Sequence, residues 1–247
     1  MKKIALILIL VAQSIWSQTG FEDGNKLYEK EQYEQAATAY ENVLRSGKHS
    51  AELYFNLGNA YYKQNKVASA IYNYEKALVL SPGNAEIETN LKFAQKMTID
   101  EIKEVPKVGF EKLLRDFTGS LHYDSWAWAA VWLAFAFLGF FLGYYFSRTT
   151  LSKRIFFVGM FVLVFAILVA VLAALFEKSY YENERPAIVF AEMTVVKSEP
   201  RTTANDVFTL HEGTKVMVLE RTANWDKIEL LDGSEGWIET SAIKEVK

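Results

Sequence analysis

The sequence contains no cysteine and only three histidines among its 247 residues. Without cysteine there can be no disulfide, no Cys-ligated metal site and no thiol nucleophile. His49, His122 and His211 lie in three separate segments, and none has a partner at a metal-ligand spacing. No Gly-x-Ser-x-Gly elbow or phosphate-binding Gly-Lys loop is present. We therefore expect no enzyme activity, no metal and no cofactor.

An excess of positive charge is also missing. The formal net charge is -3, with 27 Lys and Arg against 30 Asp and Glu. Neither soluble segment is basic when counted separately, so nucleic acid is not an expected partner. Apolar residues, by contrast, make up 51% of the chain and aromatic residues 15%. Such a chain is more apolar than an average soluble protein, and its apolar residues are concentrated in a few segments.

The first apolar segment has the layout of a signal peptide. Lys2 and Lys3 precede the apolar run Ile4–Ala12, which is followed by a polar stretch of small residues that ends at Ser17. The run is too short to cross a hydrocarbon layer of ~30 Å comfortably as a helix. We predict that residues 1–17 are a signal peptide cleaved near Ser17, with a retained anchor as the alternative.

A period of 34 residues runs through the next segment. It divides the chain into the units Ser17–Ser50 and Ala51–Asn84, which resemble tetratricopeptide repeats. Pro82 ends the second unit, and Ala85 to Thr98 is expected to form an amphipathic capping helix. The resemblance implies an all-α tetratricopeptide solenoid over residues 18–98. The pairs that recur are Gly24 and Gly58, Ala36 and Ala70, and Tyr40 and Tyr74.

In tetratricopeptide proteins the first helix of each repeat lines a concave groove, where partners bind. An Asn amide offers a donor and an acceptor, so it can hold an extended peptide backbone without reading its side chains. The alternative is that the residues expected in the groove are ordinary polar surface residues. For Tyr61 and Tyr74 the alternative to ligand binding is a place in the core. The residues expected to line the groove are Asn25, Tyr28, Phe55, Asn59, Tyr62 and Lys63.

Two long segments without charge follow a linker and juxtamembrane segment at 99–124. Residues 125–147 and 155–176 contain no Asp, Glu, Lys or Arg. At ~1.5 Å per residue each is long enough to span the hydrocarbon core as a helix. A buried helix of a soluble domain is the competing interpretation. The sequence therefore predicts a two-helix transmembrane hairpin.

The turn of this hairpin, residues 148–154, is basic. It contains Arg148, Lys153 and Arg154 and no acidic residue, so the positive-inside rule predicts that it is cytoplasmic. Both flanks of the hairpin are then periplasmic, in agreement with an exported N-terminus. The spans contain no Asp, Glu, Lys, Arg or His, which argues against ion or proton transport.

Small residues form a stripe along each predicted span. Gly139 and Gly143 lie in the first span, and Ala166, Ala170 and Ala174 lie in the second. Such stripes allow helices to pack closely in a membrane. The two stripes either face each other within the hairpin or receive the membrane helix of a partner.

After a charged connector at 177–186, residues 187–247 have the short strands and turns of an all-β domain. Three motifs resemble a bacterial SH3 domain, so we expect an SH3-like barrel. The paired tyrosines of proline-binding SH3 domains are absent, and polyproline binding is not expected. Trp225 and Trp237 are the candidates for a ligand groove, with a place in the core as the alternative. The motifs are Leu210-x-x-Gly213-Thr214, Trp225-x-Lys227-Ile228, and Asp232-Gly233 before Gly236-Trp237-Ile238.

The order of the modules resembles the E component of the Bacteroides aerotolerance (Bat) systems over the whole chain. The resemblance implies inner-membrane partners with von Willebrand A domains, a MoxR-type ATPase, and a role linked to oxidative stress or envelope integrity. The sequence predicts a multidomain membrane protein of the bacterial inner membrane with both soluble modules in the periplasm. We expect it to act as a scaffold for partner proteins. The alternative is a tether that binds peptidoglycan through the SH3-like domain.

Overall fold

The computed structural model describes residues 20–103 and 109–247, so the predicted signal peptide lies outside the described residues. The chain forms two compact units. One unit contains the described residues 20–103 together with Arg185–Lys247, and the other consists of residues 109–184. The first unit is therefore built from two ranges of the sequence, and the second unit lies between them in sequence.

Five helices form the repeat region of the first unit. Because the Ser50 and Asn84 side chains accept hydrogen bonds from the first-turn amides that follow them, they cap the third and fifth helices. The helices pair as two antiparallel hairpins followed by one further helix, as the 34-residue period predicts. They are α1 (20–29), α2 (Tyr33–Arg45), α3 (Ala51–Lys63), α4 (Val67–Leu80) and α5 (Ala85–Gln95).

Each helical hairpin turns in the same way. Glu31 and Asn65, which are one period apart, adopt left-handed backbone conformations with φ of 59° and 58°. The next amide in each turn donates to a carbonyl five residues back, at 2.9 Å for Leu27 and 3.0 Å for Tyr61. This is the hydrogen-bond pattern of a Schellman C-cap, so both turns leave α1 and α3 with the same geometry.

A glycine on the first helix and a tyrosine on the second fix the packing of each hairpin. A Cβ at Gly24 would lie 2.4 Å from the Tyr40 ring, and one at Gly58 would lie 2.7 Å from the Tyr74 ring. Both tyrosines are almost completely buried. Tyr61 is only half-buried and donates a short hydrogen bond to Glu41. The small residues of the period therefore make room for large aromatic rings.

Seven strands form the C-terminal barrel, which is an antiparallel sheet in the order β3-β2-β6-β5-β4-β1-β7. Alternate residues face its core, including Val196, Ile228 and Ile238. Gly233, with φ of 84°, makes the predicted tight turn before β6. The strands are β1 (Pro186–Val189), β2 (Met193–Lys197), β3 (Asp206–His211), β4 (Lys215–Thr222), β5 (Trp225–Glu229), β6 (Glu235–Glu239) and β7 (Ile243–Glu245).

The barrel packs directly on the second helix of the second repeat. Ile188 and Val246 of the barrel belong to the same buried cluster as Ile71 of α4. Lys215 at the start of β4 lies 2.8 Å from both carboxylate oxygens of Glu75, which is nearly buried in α4. The repeats and the barrel therefore share one continuous core.

Asp100 makes the second polar contact between the repeats and the barrel. Its carboxylate accepts hydrogen bonds from the His211 amide at 2.7 Å and from Thr214 Oγ1 at 2.6 Å. His211 Nδ1 lies 2.7 Å from the other carboxylate oxygen. Ile102 also packs on the core of the barrel. The segment predicted as a linker from residue 99 thus begins with residues that bind the barrel.

The turn between β3 and β4 lies against the repeats because its middle residue is glycine. Gly213 has φ of 87°, and a Cβ there would lie 2.8 Å from Thr98 and 3.1 Å from Val67. A larger residue would both strain the turn and separate the two surfaces. The Gly-Thr sequence of the SH3-like motif therefore forms the contact with the helices.

The second unit contains α6 (Phe110–Thr118) and a hairpin of α7 (Tyr123–Phe146) and α8 (Thr150–Asn183). The two helices of the hairpin are long and apolar enough to cross a membrane, and they overlap the spans predicted at 125–147 and 155–176. Helix α8 continues through most of the connector predicted at 177–186. Lys178 and Glu182 form an i,i+4 pair there at 3.7 Å, and no proline occurs between Thr150 and Pro186.

Within the hairpin, small residues pack against phenylalanine rings. A Cβ at Gly143 would lie 2.7 Å from the Phe156 ring. Gly159 is not one of the predicted packing residues, yet a Cβ there would lie 2.3 Å from the Phe140 ring. The closest approach of α7 and α8 therefore depends on glycine facing phenylalanine.

The other predicted packing residues differ in position. Ala170 is buried between the helices, whereas Ala166 and Ala174 are only half-buried. A Cβ at Gly139 would meet no other atom within 4 Å, so this residue does not lie at the α7–α8 contact. The sequence spacing predicts Gly139 and Gly143 on one stripe, but of these two residues only Gly143 lies at the close contact between the described helices.

Burial alone would raise the pKa of Asp100, but the hydrogen bonds from Thr214 and His211 outweigh it and hold the pKa below its usual value of 3.8. A carboxyl whose pKa is lowered by folding stabilises the protein above its unfolded pKa. That contribution is lost as the pH falls through the folded pKa.

We expect Asp100→Asn to lower the free energy of unfolding by about 1–3 kcal/mol at pH 7, because one oxygen acceptor becomes an amide donor. The difference from the wild type should stay constant above about pH 5 and narrow below about pH 4. Urea unfolding of the full chain in mild detergent measures it. Glu101→Gln, which changes the exposed neighbouring residue, is the matched control and should have no effect. Equal stability of Asp100→Asn and the control at pH 7 would contradict this role.

Candidate functional site

A cavity of about 220 Å³ opens between the first helices of the two repeats. Helices α1 and α3 supply most of its wall, and the buried Tyr40 of α2 forms its floor. No barrel residue lines it, because the barrel packs on α4. The residues that line it are Asn25, Tyr28, Glu29, Tyr40, Asn56 and Asn59.

An asparagine, a tyrosine and a second asparagine form the same hydrogen-bonded group in both repeats. Asn25 Oδ1 accepts a hydrogen bond of 2.7 Å from Tyr40 Oη and one of 3.1 Å from Asn56 Nδ2. One period later, Asn59 Oδ1 accepts from Tyr74 Oη at 2.7 Å and from Asn90 Nδ2 at 2.9 Å. Each group connects three successive helices of the solenoid.

The tyrosines keep the asparagine amides in a fixed orientation. Burial raises the pKa of Tyr40 to about 12 and also raises the pKa of Tyr74. Both hydroxyls therefore remain protonated and donate to the Asn25 and Asn59 oxygens at physiological pH. Within the described residues the Asn25 and Asn59 amide nitrogens have no hydrogen-bond partner. They are the donors that the groove can offer to a bound carbonyl.

Of the other residues predicted to line the groove, only Tyr28 borders the cavity, where its ring lies edge-on to Tyr33 at 5.2 Å. Phe55 packs against the Tyr74 ring with a centroid distance of 6.0 Å. Tyr62 is half-buried beside the same core, and Lys63 is exposed at the end of α3. The structure therefore brings Asn25, Tyr28 and Asn59 together at the cavity, but not the other three.

Asn56 and Asn90 are not among the residues predicted to line the groove, although both follow the 34-residue period. They are 34 residues apart, and each lies 31 residues after the asparagine to which it donates. Glu29, which also lines the cavity, has no equivalent acidic residue in the next repeat, where Lys63 occupies the corresponding position. The 34-residue period of polar residues therefore indicates Asn56 and Asn90 but not Glu29.

The two tryptophans of the barrel lie outside its buried core. On β5, Trp225 and Lys227 alternate with the buried Asp226 and Ile228. Trp237 on β6 pairs with Lys227, so both tryptophans lie on the outer face of the sheet. They are half-buried rather than fully exposed. This face carries two aromatic rings, and the Lys227 amine beside them is paired with Glu235 at 2.6 Å.

Each of the three histidines contacts at least one side chain in the described part of the chain. His49 contacts Tyr54 at 2.8 Å, His122 lies 3.6 Å from Asp124, and His211 binds Asp100. Over residues 20–103 and 109–247, no group of three or more His, Asp or Glu side chains is arranged to hold a metal ion. The cavity itself offers the Asn25 and Asn59 amides and the Glu29 carboxylate to a ligand.

We expect Asn59→Ala to lower the free energy of unfolding by about 1–3 kcal/mol, because the Tyr74 hydroxyl and the Asn90 amide both lose their acceptor. Asn59→Asp keeps that acceptor and should retain most of the stability. The midpoint of urea unfolding distinguishes the two variants. If Asn59→Ala unfolded at the wild-type urea concentration, the hydrogen-bonded group would not support the repeat.

Comparison with known families agrees with the two modules. Residues 21–85 match the family model of the tetratricopeptide repeat, and residues 194–244 match that of the bacterial SH3 domain. No curated protein matches the chain. The predictions of a repeat module and an SH3-like module are therefore confirmed, and both modules suggest binding to proteins or to the cell wall.

Proposed function

We propose that this chain is a scaffold of the bacterial inner membrane that binds segments of partner proteins on the periplasmic side. The observation that carries the proposal is the groove between α1 and α3. Its two asparagine amides are held in place by buried tyrosines, and their amide nitrogens face no partner within the described chain. Such donors can hold peptide carbonyls without selecting side chains.

The packing of the barrel on the repeats supports an even number of membrane crossings. The repeats precede the hairpin in sequence and the barrel follows it, yet they form one compact unit with a shared core. Both ends of the hairpin must then lie on the same side of any membrane that it crosses. Two long apolar helices, α7 and α8, meet this requirement.

The charge of the hairpin turn supports the periplasmic side for this unit. Arg148, Lys153 and Arg154 flank the two apolar helices at the turn, which favours a cytoplasmic turn. A cleaved signal peptide at residues 1–17 would deliver the repeats to the same side as the barrel. The proposed protein is thus anchored by two crossings and exposes both modules to the periplasm.

The resemblance of the module order to the Bat systems suggests the class of partner. It points to inner-membrane proteins with von Willebrand A domains and to a role in aerotolerance or envelope stress. We propose no enzyme activity for the chain itself. In this proposal the groove binds, and the hairpin keeps the bound segment near the membrane.

A tether to the cell wall is the second candidate function. The outer face of the barrel favours it, because Trp225 and Trp237 lie on the same side of the sheet beside Lys227. Aromatic rings combined with polar groups suit the binding of a sugar chain such as that of peptidoglycan. In this alternative the barrel binds the wall and the repeats link it to a membrane complex.

The absence of cysteine allows a direct test of orientation. In cells with a permeabilised outer membrane, a membrane-impermeant maleimide should label single cysteines at Lys63→Cys in the repeats and Asn224→Cys in the barrel. Thr150→Cys, in the basic turn, should react only after the inner membrane is disrupted. The cysteine-free wild type is the control for background labelling. Labelling of Thr150→Cys in intact inner membranes would contradict the proposed orientation.

Photo-crosslinking tests the scaffold function. A photoreactive residue at Lys63, which is exposed one helical turn beyond Asn59 on α3, should capture integral membrane proteins with von Willebrand A domains, identified by mass spectrometry. The same residue at Asn42, on the exposed side of α2, should not. Tyr28→Ala should reduce the capture several-fold. If position 63 captures no protein while the solubilised chain sediments with purified peptidoglycan sacculi, the wall tether replaces the scaffold.

A further inference from the structure

The residues along the first helices change chemistry from one end of the groove to the other. Three positions recur at intervals of 34 residues in α1, α3 and the segment that contains α5. The first position is Asn, Asn and then Phe, the second is Tyr, Tyr and then Lys, and the third is Glu, Lys and then Met. In order, they are Asn25, Asn59 and Phe93; Tyr28, Tyr62 and Lys96; and Glu29, Lys63 and Met97.

The end of the groove at α1 is acidic. Glu29 lines the cavity, and Glu22 lies two turns earlier on the same helix. Both side chains are exposed. The nearby Lys26 is paired with Asp23 at 3.5 Å. This end therefore offers carboxylates to a cationic group of a ligand.

The opposite end, at α5, is apolar and basic. Phe93 is 51% exposed and Met97 is 37% exposed, and neither belongs to a buried core cluster. Lys96 Nζ lies 5.5 Å from the centre of the Phe93 ring. Phe93 occupies the position of the asparagines in the first two repeats, so the row of amide donors ends here in an aromatic ring. The basic Lys63 is exposed one helical turn beyond Asn59 on α3.

We infer that the groove binds an extended peptide with a basic end at α1 and an apolar residue beside an acidic group at α5. This inference rests on the proposed function, because it specifies the ligand of the same groove. Neighbouring helices pack about 8–10 Å apart, so the two ends are about 20 Å apart. A chain of roughly six extended residues covers that distance.

Each part of the peptide has its own contact in this arrangement. Glu29 pairs with the basic end, and the Asn25 and Asn59 amides hold the backbone between the ends. Phe93 and Met97 cover the apolar side chain, while Lys96 and Lys63 pair with the acidic group. Selection therefore comes from the two ends of the groove, whereas its centre accepts any sequence.

Fluorescence anisotropy of the full chain in nanodiscs tests this inference with defined probes. The probe is a fluorescein-labelled ten-residue peptide with two lysines at one end, a Gly-Ser centre and a Leu-Asp pair at the other end. It is made in both chain directions, and the tighter-binding direction is used. One comparison peptide replaces Leu with Ser, and another exchanges the acidic and basic residues.

We expect the probe to bind about tenfold or more tightly than the Ser peptide, because a buried leucine contributes at least that factor. It should also bind more tightly than the charge-exchanged peptide, in which both ends of the groove meet a like charge. The double variant Phe93→Ala, Met97→Ala should abolish the preference for Leu over Ser without changing the affinity for the Ser peptide. Glu29→Lys should shift the preference towards the charge-exchanged peptide. Leu80→Ala, which removes an equally exposed apolar side chain from α4, is the control and should change nothing.

Equal binding of the three peptides by the wild type would overturn the inference, as would a preference for Leu that survives the loss of Phe93 and Met97. These failures differ from a failure of the proposed function. If position 63 still captures membrane proteins in cells, the scaffold stands and only this peptide chemistry is wrong. If neither capture nor peptide binding occurs, both proposals fall.

Discussion

The contact between the barrel and helix α4 is the constraint on which the rest of the protein depends. Two repeats and one further helix leave an apolar surface at the end of the solenoid, and such short arrays need a cap. Here the cap is the barrel, which contributes Ile188 and Val246 to the helical core. The pairing of Lys215 with Glu75 and of Asp100 with the β3–β4 turn aligns the two surfaces. The barrel is therefore part of the solenoid's fold as well as a second module.

The barrel takes over contacts that a third repeat would have made. In the first repeat Glu41 accepts a hydrogen bond from Tyr61 of the following helix. The equivalent of Glu41 in the second repeat is Glu75, but the equivalent of Tyr61 is Gln95. Glu75 instead binds Lys215 of the barrel, and Gly213 packs on Val67 and Thr98. At the end of the solenoid, Glu75 thus keeps the acidic position of the repeat but pairs with Lys215 of the barrel.

The sequence predicts the features that repeat or that follow local rules. The 34-residue period locates the helical hairpins, the Gly-Tyr packing, and Asn25 and Asn59 of the groove. The strand pattern locates the barrel. It cannot predict the contact of Asp100 with His211, because no local pattern relates residues 111 positions apart. It also cannot tell that Gly143 and Gly159 pack against rings while Gly139 does not, because the rotation of each helix depends on the other. The hydrogen bonds from Tyr40 to Asn25 and from Tyr74 to Asn59 could not be predicted either, because they also depend on how neighbouring helices are rotated against each other.

These tyrosine bonds change how the groove must be interpreted. An asparagine that only bound ligand could be replaced without loss of fold, but Asn25 and Asn59 each accept two hydrogen bonds inside the solenoid. Substituting Asn25 or Asn59 would change both the stability of the fold and the binding of a ligand. Ligand selectivity therefore has to be tested at residues that do not stabilise the fold. Glu29, Lys63, Phe93 and Met97 are exposed and make no contribution to the buried clusters. The fold thus orients the central donors, and the exposed ends of the groove are free to determine which partner binds.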